Sequence, residues 1–315
     1  MDLFEAQGAV NVQLSGGEPT MRSDLPDVIG IARAAGFTFV QLNTNGLRLA
    51  ADAGYAEALR DAGLVSVFLQ FDGVTDDTYR ALRGRPLLAQ KLHALERCAE
   101  AGLSVVLVPT LVPGVNDHEL GSLVRFAAAW PGVVRGLHVQ PISYFGRYAW
   151  GDRPRLTLPE VLGALERQTI GELRVADFRP SGCEHVGCSF RARYWVHDEG
   201  RLELVRSAPP CCSPGPDDSA RRAIVATSRQ WGRGPRAAGG ETRPSNDPPD
   251  DLGRFLDAAD RILSISGMVF QDAWNMDLER VRRCCVHAVV PDRGLVPFCL
   301  WNLTSESGRR LYPRC

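Results

Sequence analysis

Lysine is all but missing from this chain: Lys91 is the only one among 315 residues that include 36 Lys and Arg. Schiff-base chemistry therefore has a single candidate, and Lys91 falls in a helical stretch predicted to be solvated. No apolar run approaches the roughly 18–20 residues that span a bilayer. The residues after Met1 lack a basic start followed by an apolar segment. No transmembrane segment and no export are expected, which leaves the cytoplasm as the predicted compartment. A net charge of −1 gives bulk electrostatics no part in binding nucleic acid or anionic membranes. Cysteine is absent from the first half apart from Cys98, so thiol clusters are confined to the second half.

What is present is a globular composition, 44% hydrophobic and 23% charged, with chain enough for one large domain or two smaller ones. Strand-like and helix-like segments alternate at first. A strand ends at Leu14, and Ser23 is placed to cap a helix to about Ala35. Strands follow at 37–42, 65–71, 103–110 and 134–142, with helices at 50–62, 84–101 and 117–129 between them. Such alternation predicts parallel strands with helical crossovers, as a partial barrel or an open sheet. Polar residues collect at the strand ends (Glu18, Asn43, Asn45, Gln70, Asp72, Thr110, Gln140). In both architectures that edge binds ligands.

One turn at this edge stands out. Leu14-Ser15-Gly16-Gly17-Glu18-Pro19-Thr20 directly follows an apolar run. Two residues without Cβ let a ligand touch main chain; Glu18 sets a carboxylate at the opening, and Pro19 stiffens the exit. Backbone carbonyls and a carboxylate are acceptors, which suits a ligand carrying an amine. Strand, G-G-E-P, helix and then residues 37–46, ending Asn43-Thr44-Asn45-Gly46, resemble the second and third βα units of the radical S-adenosylmethionine (SAM) superfamily. Residues 67–73, 76–84 and 105–117 fit the same pattern, so the resemblance covers roughly the first 150 residues. The finer likeness is to the branch containing tetraether-lipid-synthase-like and TrsS-type radical SAM (seleno)proteins.

The resemblance implies an α/β fold, a partial (β/α) TIM-like barrel lacking its first βα unit, followed by a cysteine-rich C-terminal region. It implies that Gly16, Gly17, Glu18 and Pro19 hold SAM while Asn43, Asn45, Gln70 and Asp72 orient it. A 4Fe–4S cluster, a reducing electron donor and a substrate the sequence does not identify are implied as well. The cluster would sit on three cysteines spaced C-x3-C-x2-C, its open iron chelated by SAM, and reductive cleavage would release a 5′-deoxyadenosyl radical. Residues 1–315 hold no such motif, and Cys183-x4-Cys188 has neither the spacing nor the place. The expectation is an N-terminally truncated enzyme sequence. The alternative is a catalytically inactive remnant acting as a metal-stabilised binding protein. A third reading, an ordinary α/β-barrel enzyme binding phosphate at the Gly-rich turn, conflicts with the carboxylate of Glu18.

The second half divides into expected regions. After a SAM-binding 1–150 come a cysteine-bearing extension over 151–231, opening with a helix from Thr157 to about Gly171, and a linker over 232–250 rich in Gly, Pro, Arg and Asp. An auxiliary metal or iron–sulfur segment over 251–315 closes the chain, with a helix near 251–265. Clustered thiols in a cytosolic chain ligate metal more often than they pair. The candidate ligands are Cys183, Cys188, Cys211, Cys212, Cys284, Cys285, His287 and Cys299. Residues 284–299 read as a hairpin turning at Pro291-Asp292-Arg293-Gly294. That would put Cys285 and His287 on one face, with Cys299 opposite or beside His287. An auxiliary iron–sulfur cluster and a zinc ion suit these donors equally. Cys98 and Cys315 are expected to ligate nothing, and Trp231 and Trp274 to pack.

Overall fold

The computed structural model describes residues 11–145, 154–180, 185–206, 225–232, 260–290, 293–305 and 309–311. Short apolar runs form the strands: β1 (Asn11–Leu14), β2 (Phe39–Thr44), β3 (Ser66–Gln70), β4 (Ser104–Val108), β5 (Thr110–Leu111), β6 (Val134–Pro141), β7 (Ser189–Val196), β8 (Leu202–Leu204) and β9 (Ile262–Met268). Among the described residues they make one mixed, mostly parallel α/β sheet in the order β1-β2-β3-β4-β6-β9-β7-β8, with β5 beside β6. The strands from β1 to β9 in that order are parallel, while β7 runs antiparallel to β9 and β8 antiparallel to β7.

Between the strands lie α1 (Leu25–Ala34), α2 (Leu47–Ala51), α3 (Tyr55–Asp61), α4 (Asp76–Arg83), α5 (Leu88–Glu100), α6 (Leu120–Ala128) and α7 (Leu158–Gln168). Their apolar stripes join alternate strand residues such as Leu42, Val67, Leu69, Val105, Leu107 and Ile265 in one core on one face of the sheet. The intervening residues face the other way. There Phe68, Val106 and Val108 pack with Trp231, from a helical segment at 225–231. Ser104 Oγ donates to the Trp231 carbonyl, and Gln230 Nε2 donates to that of Ile262 at 2.9 Å.

Differences from the sequence-based expectation have local causes. The helix expected over 50–62 is divided into α2 and α3, because Gly54 takes a left-handed φ of 84° as the cap of α3. The helix expected from Ser23 starts at Leu25 with Asp24 before it. The larger correction concerns the helix expected near 251–265: residues 262–268 are a strand inside the sheet. Leu263 and Ile265 enter the core while Ser264 and Ser266 face the other side, a period of two. The region expected to be loops after Gly171 contains β7 and β8. Residues 251–259 and the linker over 233–250 lie outside the described residues.

Gly46 is a position where no other residue fits. Its φ is +77°, and a Cβ there would come within 2.5 Å of Leu69 Cδ1 and 3.2 Å of Ala94 Cβ. Gly46→Ala is expected to destabilise the fold by about 2–4 kcal/mol, combining left-handed strain with overpacking. The shift of the urea unfolding midpoint measures it.

Candidate functional site at the strand tips

Parallel pairing brings the C-terminal ends of β1, β2, β3, β4, β6 and β9 to one edge. After β1 the chain turns through Gly16, at φ +140°, and both Gly16 and Gly17 are exposed. A Cβ on either would meet nothing within 4 Å, so space lies open above their backbone. Pro19 opens a short 3-10 turn, capped by Glu18.

The Glu18 carboxylate is engaged by neighbouring groups. It accepts hydrogen bonds from Thr20 N (3.2 Å), Thr20 Oγ1 (2.7 Å), Thr44 Oγ1 (2.6 Å) and Asn45 N (2.8 Å). A carboxylate offers about two acceptor positions on each oxygen; three of the four bonds fall on Oε1 and one on Oε2, so Oε2 keeps an acceptor position. Glu18 ties the exit of β1 to the exit of β2, and the acceptors left for an amine at this turn are the backbone carbonyls and one position on Glu18 Oε2. Asp72 is likewise committed. Its side chain is fully buried and takes a bidentate contact from Arg83 Nε (2.8 Å) and Nη2 (2.9 Å), plus Thr110 N at 3.1 Å. Asn116 Nδ2 donates to the Asp72 carbonyl at 2.8 Å and to that of Thr110 at 2.9 Å.

Three expected residues stay open at the edge. Asn43 Nδ2 donates to Ser15 Oγ at 3.3 Å. Asn45 caps the next turn through Oδ1, which accepts from Leu47 N at 2.9 Å. Gln70 Oε1 lies 3.5 Å from Lys91 Nζ. All three are half-buried.

Lys91 corrects the expectation of a solvated residue: it is 0% exposed. Its ammonium donates to the Asn45 carbonyl at 2.5 Å and lies 6.0 Å from the centre of the Tyr79 ring. Burial, opposed by Asp72 and Glu18 and reinforced by Arg83 and Arg85, pushes its pKa down to about 8. Lys91, Ala94, Leu95 and Cys98 share the buried stripe of α5, and that i, i+3, i+4, i+7 spacing was the sequence signal for its position. Glu119, not singled out in the sequence, is buried and clasps the loop after β3, accepting from Val74 N (2.6 Å), Thr75 Oγ1 (2.8 Å) and Thr78 Oγ1.

The expected thiols separate. Cys183, Cys211 and Cys212 lie outside the described residues, as does Cys315. Cys98 is a wholly buried core residue, its thiol pushed up to about 12 mainly by burial. Beyond the C-terminal end of β9, Cys188, Cys284 and Cys299 line one small cavity with Phe270, Arg280 and Phe298. Arg280 Nε lies 3.3 Å from Cys188 Sγ, and Gln271 N donates to Cys299 Sγ at 3.3 Å. Burial pushes the Cys299 thiol up to about 11, with the Gln271 amide opposing and Cys284 and Cys188 adding to the rise. The hairpin forms as β10 (His287–Val290) and β11 (Gly294–Pro297), but its register pairs His287 with Pro297. Pro297 has no N–H to extend the ladder, and the chain turns into the short helix α9 (Phe298–Asn302), which follows α8 (Leu278–Arg282) in the numbering. Cys299 therefore sits beyond the hairpin and not opposite His287, which is exposed. Cys284, not Cys285, lines the cavity.

These donors are soft and suit iron–sulfur or zinc. Among the described residues, however, no three of His, Cys, Asp or Glu stand at ligating distances. The turns after β1, β2, β3, β4 and β6 hold no cysteine among the described residues, so the residues around the Gly-Gly turn do not fit a catalytic cluster by themselves. Among the described residues no helix is long and apolar enough to cross a membrane.

The radical SAM superfamily profile matches residues 1–127. Across 92% of the chain the sequence is 34% identical to the 7,8-dihydro-6-hydroxymethylpterin dimethyltransferase of Methanocaldococcus jannaschii, and the match spans 66% of that relative's length. It is 30% identical to the "Probable GTP 3′,8-cyclase" of Archaeoglobus fulgidus over 72% of this chain and 80% of that protein. A GTP 3′,8-cyclase of Erythrobacter litoralis is 28% identical over 82% of the chain and 75% of its own length. The chain belongs to the radical SAM superfamily.

Proposed function

We propose that the protein is a radical SAM enzyme that uses SAM to act on a small heterocyclic substrate held across the strand tips. The observation that carries this reading is the convergence of the open Gly16-Gly17 backbone with Asn43, Asn45 and Gln70 at one edge. The carbonyls of the Gly-Gly turn take the SAM ammonium group, and Asn43 and Gln70 orient the rest; Pro19 fixes the turn. Glu18 and Asp72 act one step back, holding the tips in place. When bound to its reduced cluster, SAM supplies a 5′-deoxyadenosyl radical. The pterin and GTP named for the relatives support a fused nitrogen heterocycle as the substrate class.

Cys188, Cys284 and Cys299, with Cys183 nearby in sequence, would hold an auxiliary iron–sulfur cluster at the same edge. The experiment is anaerobic reconstitution of the longest in-frame protein with iron and sulfide, assayed for 5′-deoxyadenosine under dithionite. Release of 5′-deoxyadenosine is expected, and a fully iron-loaded protein that releases none overturns the reading. In the same preparations, Cys188→Ala, Cys284→Ala and Cys299→Ala are each expected to lose one cluster's complement of iron and its absorbance near ~400 nm. Equal iron in all three variants and the parent would place the auxiliary metal elsewhere. Zinc in place of colour would identify a zinc site.

A further inference from the structure

A histidine on the sheet face opposite the helices stands level with the strand-tip residues and has no part in the site so far. On β6, Leu137 and Val139 belong to the helix-side core, so His138 and Gln140 lie on the other face. Strand pairing fixes the neighbours of His138 there. Ser266 of β9 is its partner on one side, and the pairing of Leu107 with Leu137 brings Val108 of β4 to the other. Gln70 of β3 pairs with Val108 in turn. Gln70, Val108, His138 and Ser266 therefore form one row across four strands, at the rung where β3 ends. Gln140 stands one rung nearer the edge, paired with Thr110.

The imidazole is held in place. Ser266 Oγ lies 2.9 Å from Nδ1. The ring centre is 5.3 Å from that of Phe68 and 6.0 Å from that of Trp231, and those two are 5.9 Å apart. Gly136 lets the indole come this close, since a Cβ there would lie 3.0 Å from Trp231 Nε1. Phe68 and Gly136 precede Gln70 and His138 by two residues on their strands, so the ring packing lies beneath the row. Packing alone does not call for imidazole: a phenyl group fills the same place with no polar atom to desolvate. His138 is 8% exposed, while Gln70 and Gln140 are half-buried at the edge above it. Gln140 N donates to the Pro109 carbonyl at 3.0 Å, but among the described residues its carboxamide has no hydrogen-bond partner. Each carboxamide offers a donor and an acceptor, and imidazole adds a nitrogen of either kind. That set, above an aromatic base, matches the ring N–H, carbonyl and amino edge of a fused nitrogen heterocycle.

We propose that His138 contacts the substrate, meeting the amide edge of a flat bicyclic heterocycle through Nε2 while Gln70 and Gln140 bond the same molecule. Gln70 and His138 are two strand intervals apart, roughly 10 Å along the sheet. That span takes one bicyclic ring with a hydrogen bond of ~2.9 Å at each end. Ser266, Phe68 and Trp231 act through His138 and are positioning residues. The assignment rests on the substrate class proposed above and adds to it the group that recognises the ring.

The test is fluorescence titration of the full chain with pterin as the probe. Quinoxaline, a flat bicycle without the amide edge, is the competitor, and SAM is titrated in parallel. The parent is expected to bind pterin saturably and to prefer it to quinoxaline about tenfold or more. His138→Phe keeps the ring packing and loses both nitrogens. It should weaken pterin binding about tenfold, the effect of one lost hydrogen bond, and change quinoxaline binding less than twofold. His138→Gln puts an amide near the place of Nε2 and should hold pterin within about threefold of the parent. A histidine that only fills the core would alter both probes alike. His93→Phe, an exposed position on α5, is the control and should bind like the parent. The preference is a ratio within one variant, so a reduced folded fraction cancels from it and early melting of His138→Phe leaves the comparison intact. Four results overturn the inference: no pterin binding by the parent, a preference in His138→Phe within about twofold of the parent's, an equal loss in His93→Phe, or His138→Gln as weak as His138→Phe. A parent that binds SAM but not pterin sinks the inference and leaves the SAM reading standing. Pterin bound through His138 with SAM unbound does the reverse.

Discussion

Arg83→Leu is expected to cost the protein about 3–5 kcal/mol, because it strands a buried charge. The Asp72 side chain has no solvent exposure, and two of its three hydrogen bonds come from Arg83. Leucine leaves the carboxylate with the Thr110 amide alone. Removing the other partner is milder: in Asp72→Asn the amide is neutral, and Arg83, 30% exposed, can turn toward water. Urea unfolding of the two variants measures the asymmetry, and an Arg83→Leu protein no less stable than Asp72→Asn would refute it. The function should follow. Asp72 joins the end of β3 to Thr110 and Asn116, so its displacement loosens the tip that carries Gln70, and SAM affinity should fall with stability.

Lys91→Met separates stability from binding. The folded pKa of Lys91, about 8, lies below its ordinary 10.5. Below pH 8 both folded and unfolded chains are protonated at this residue, and the burial penalty is carried in full. Between pH 8 and 10.5 the unfolded chain keeps a proton that the folded one has lost, so stability rises with pH across that window. The rise specific to Lys91 is about 3 kcal/mol. The groups facing it are the Asn45 carbonyl, Gln70 and the Tyr79 ring, with Asp72 and Glu18 attracting its charge and Arg83 and Arg85 repelling it. Methionine removes the titration, so the wild-type minus variant difference should climb over this window and stay flat below it. At pH 7 the variant is expected to be at least as stable as the wild type. It also loses the bond that fixes Asn45, and SAM affinity should drop about tenfold. A variant that keeps the pH-dependent rise, or that binds SAM like the parent, would show that the ammonium holds nothing in place.

Much of this was legible from residue order alone. Strand-like runs at 65–71 and 103–110 correspond to β3 and β4 within a residue or two, because fully buried parallel strands are written as continuous apolar segments. The Gly-Gly turn and its edge were legible for the same local reason. Partnership was not. Glu18 and Asp72 show as carboxylates beside a ligand edge, but their donors lie elsewhere in sequence, at Thr44, Asn45 and Arg83. Only folding reveals that these acceptors are largely taken up by the protein's own donors. Strand β9 was missed because seven residues with two serines and a glycine carry little periodic signal, and its neighbours come from distant sequence. The thiol cavity shows the same limit: Cys188 approaches Cys284 and Cys299 through the pairing of β7 with β9, and no spacing rule contains that fact.

The seam between β6 and β9 has a consequence for biosynthesis. β6 ends at Pro141, and the strand that covers its free edge begins about 120 residues later. At ribosomal speeds of 5–20 residues per second, that edge waits roughly 6–25 s for its cover. During the delay a nascent chain displays an unpaired parallel edge, a template for wrong pairing. Chaperone supply and slower growth temperature should therefore govern the soluble yield of this protein more than changes to its already compact N-terminal βα units.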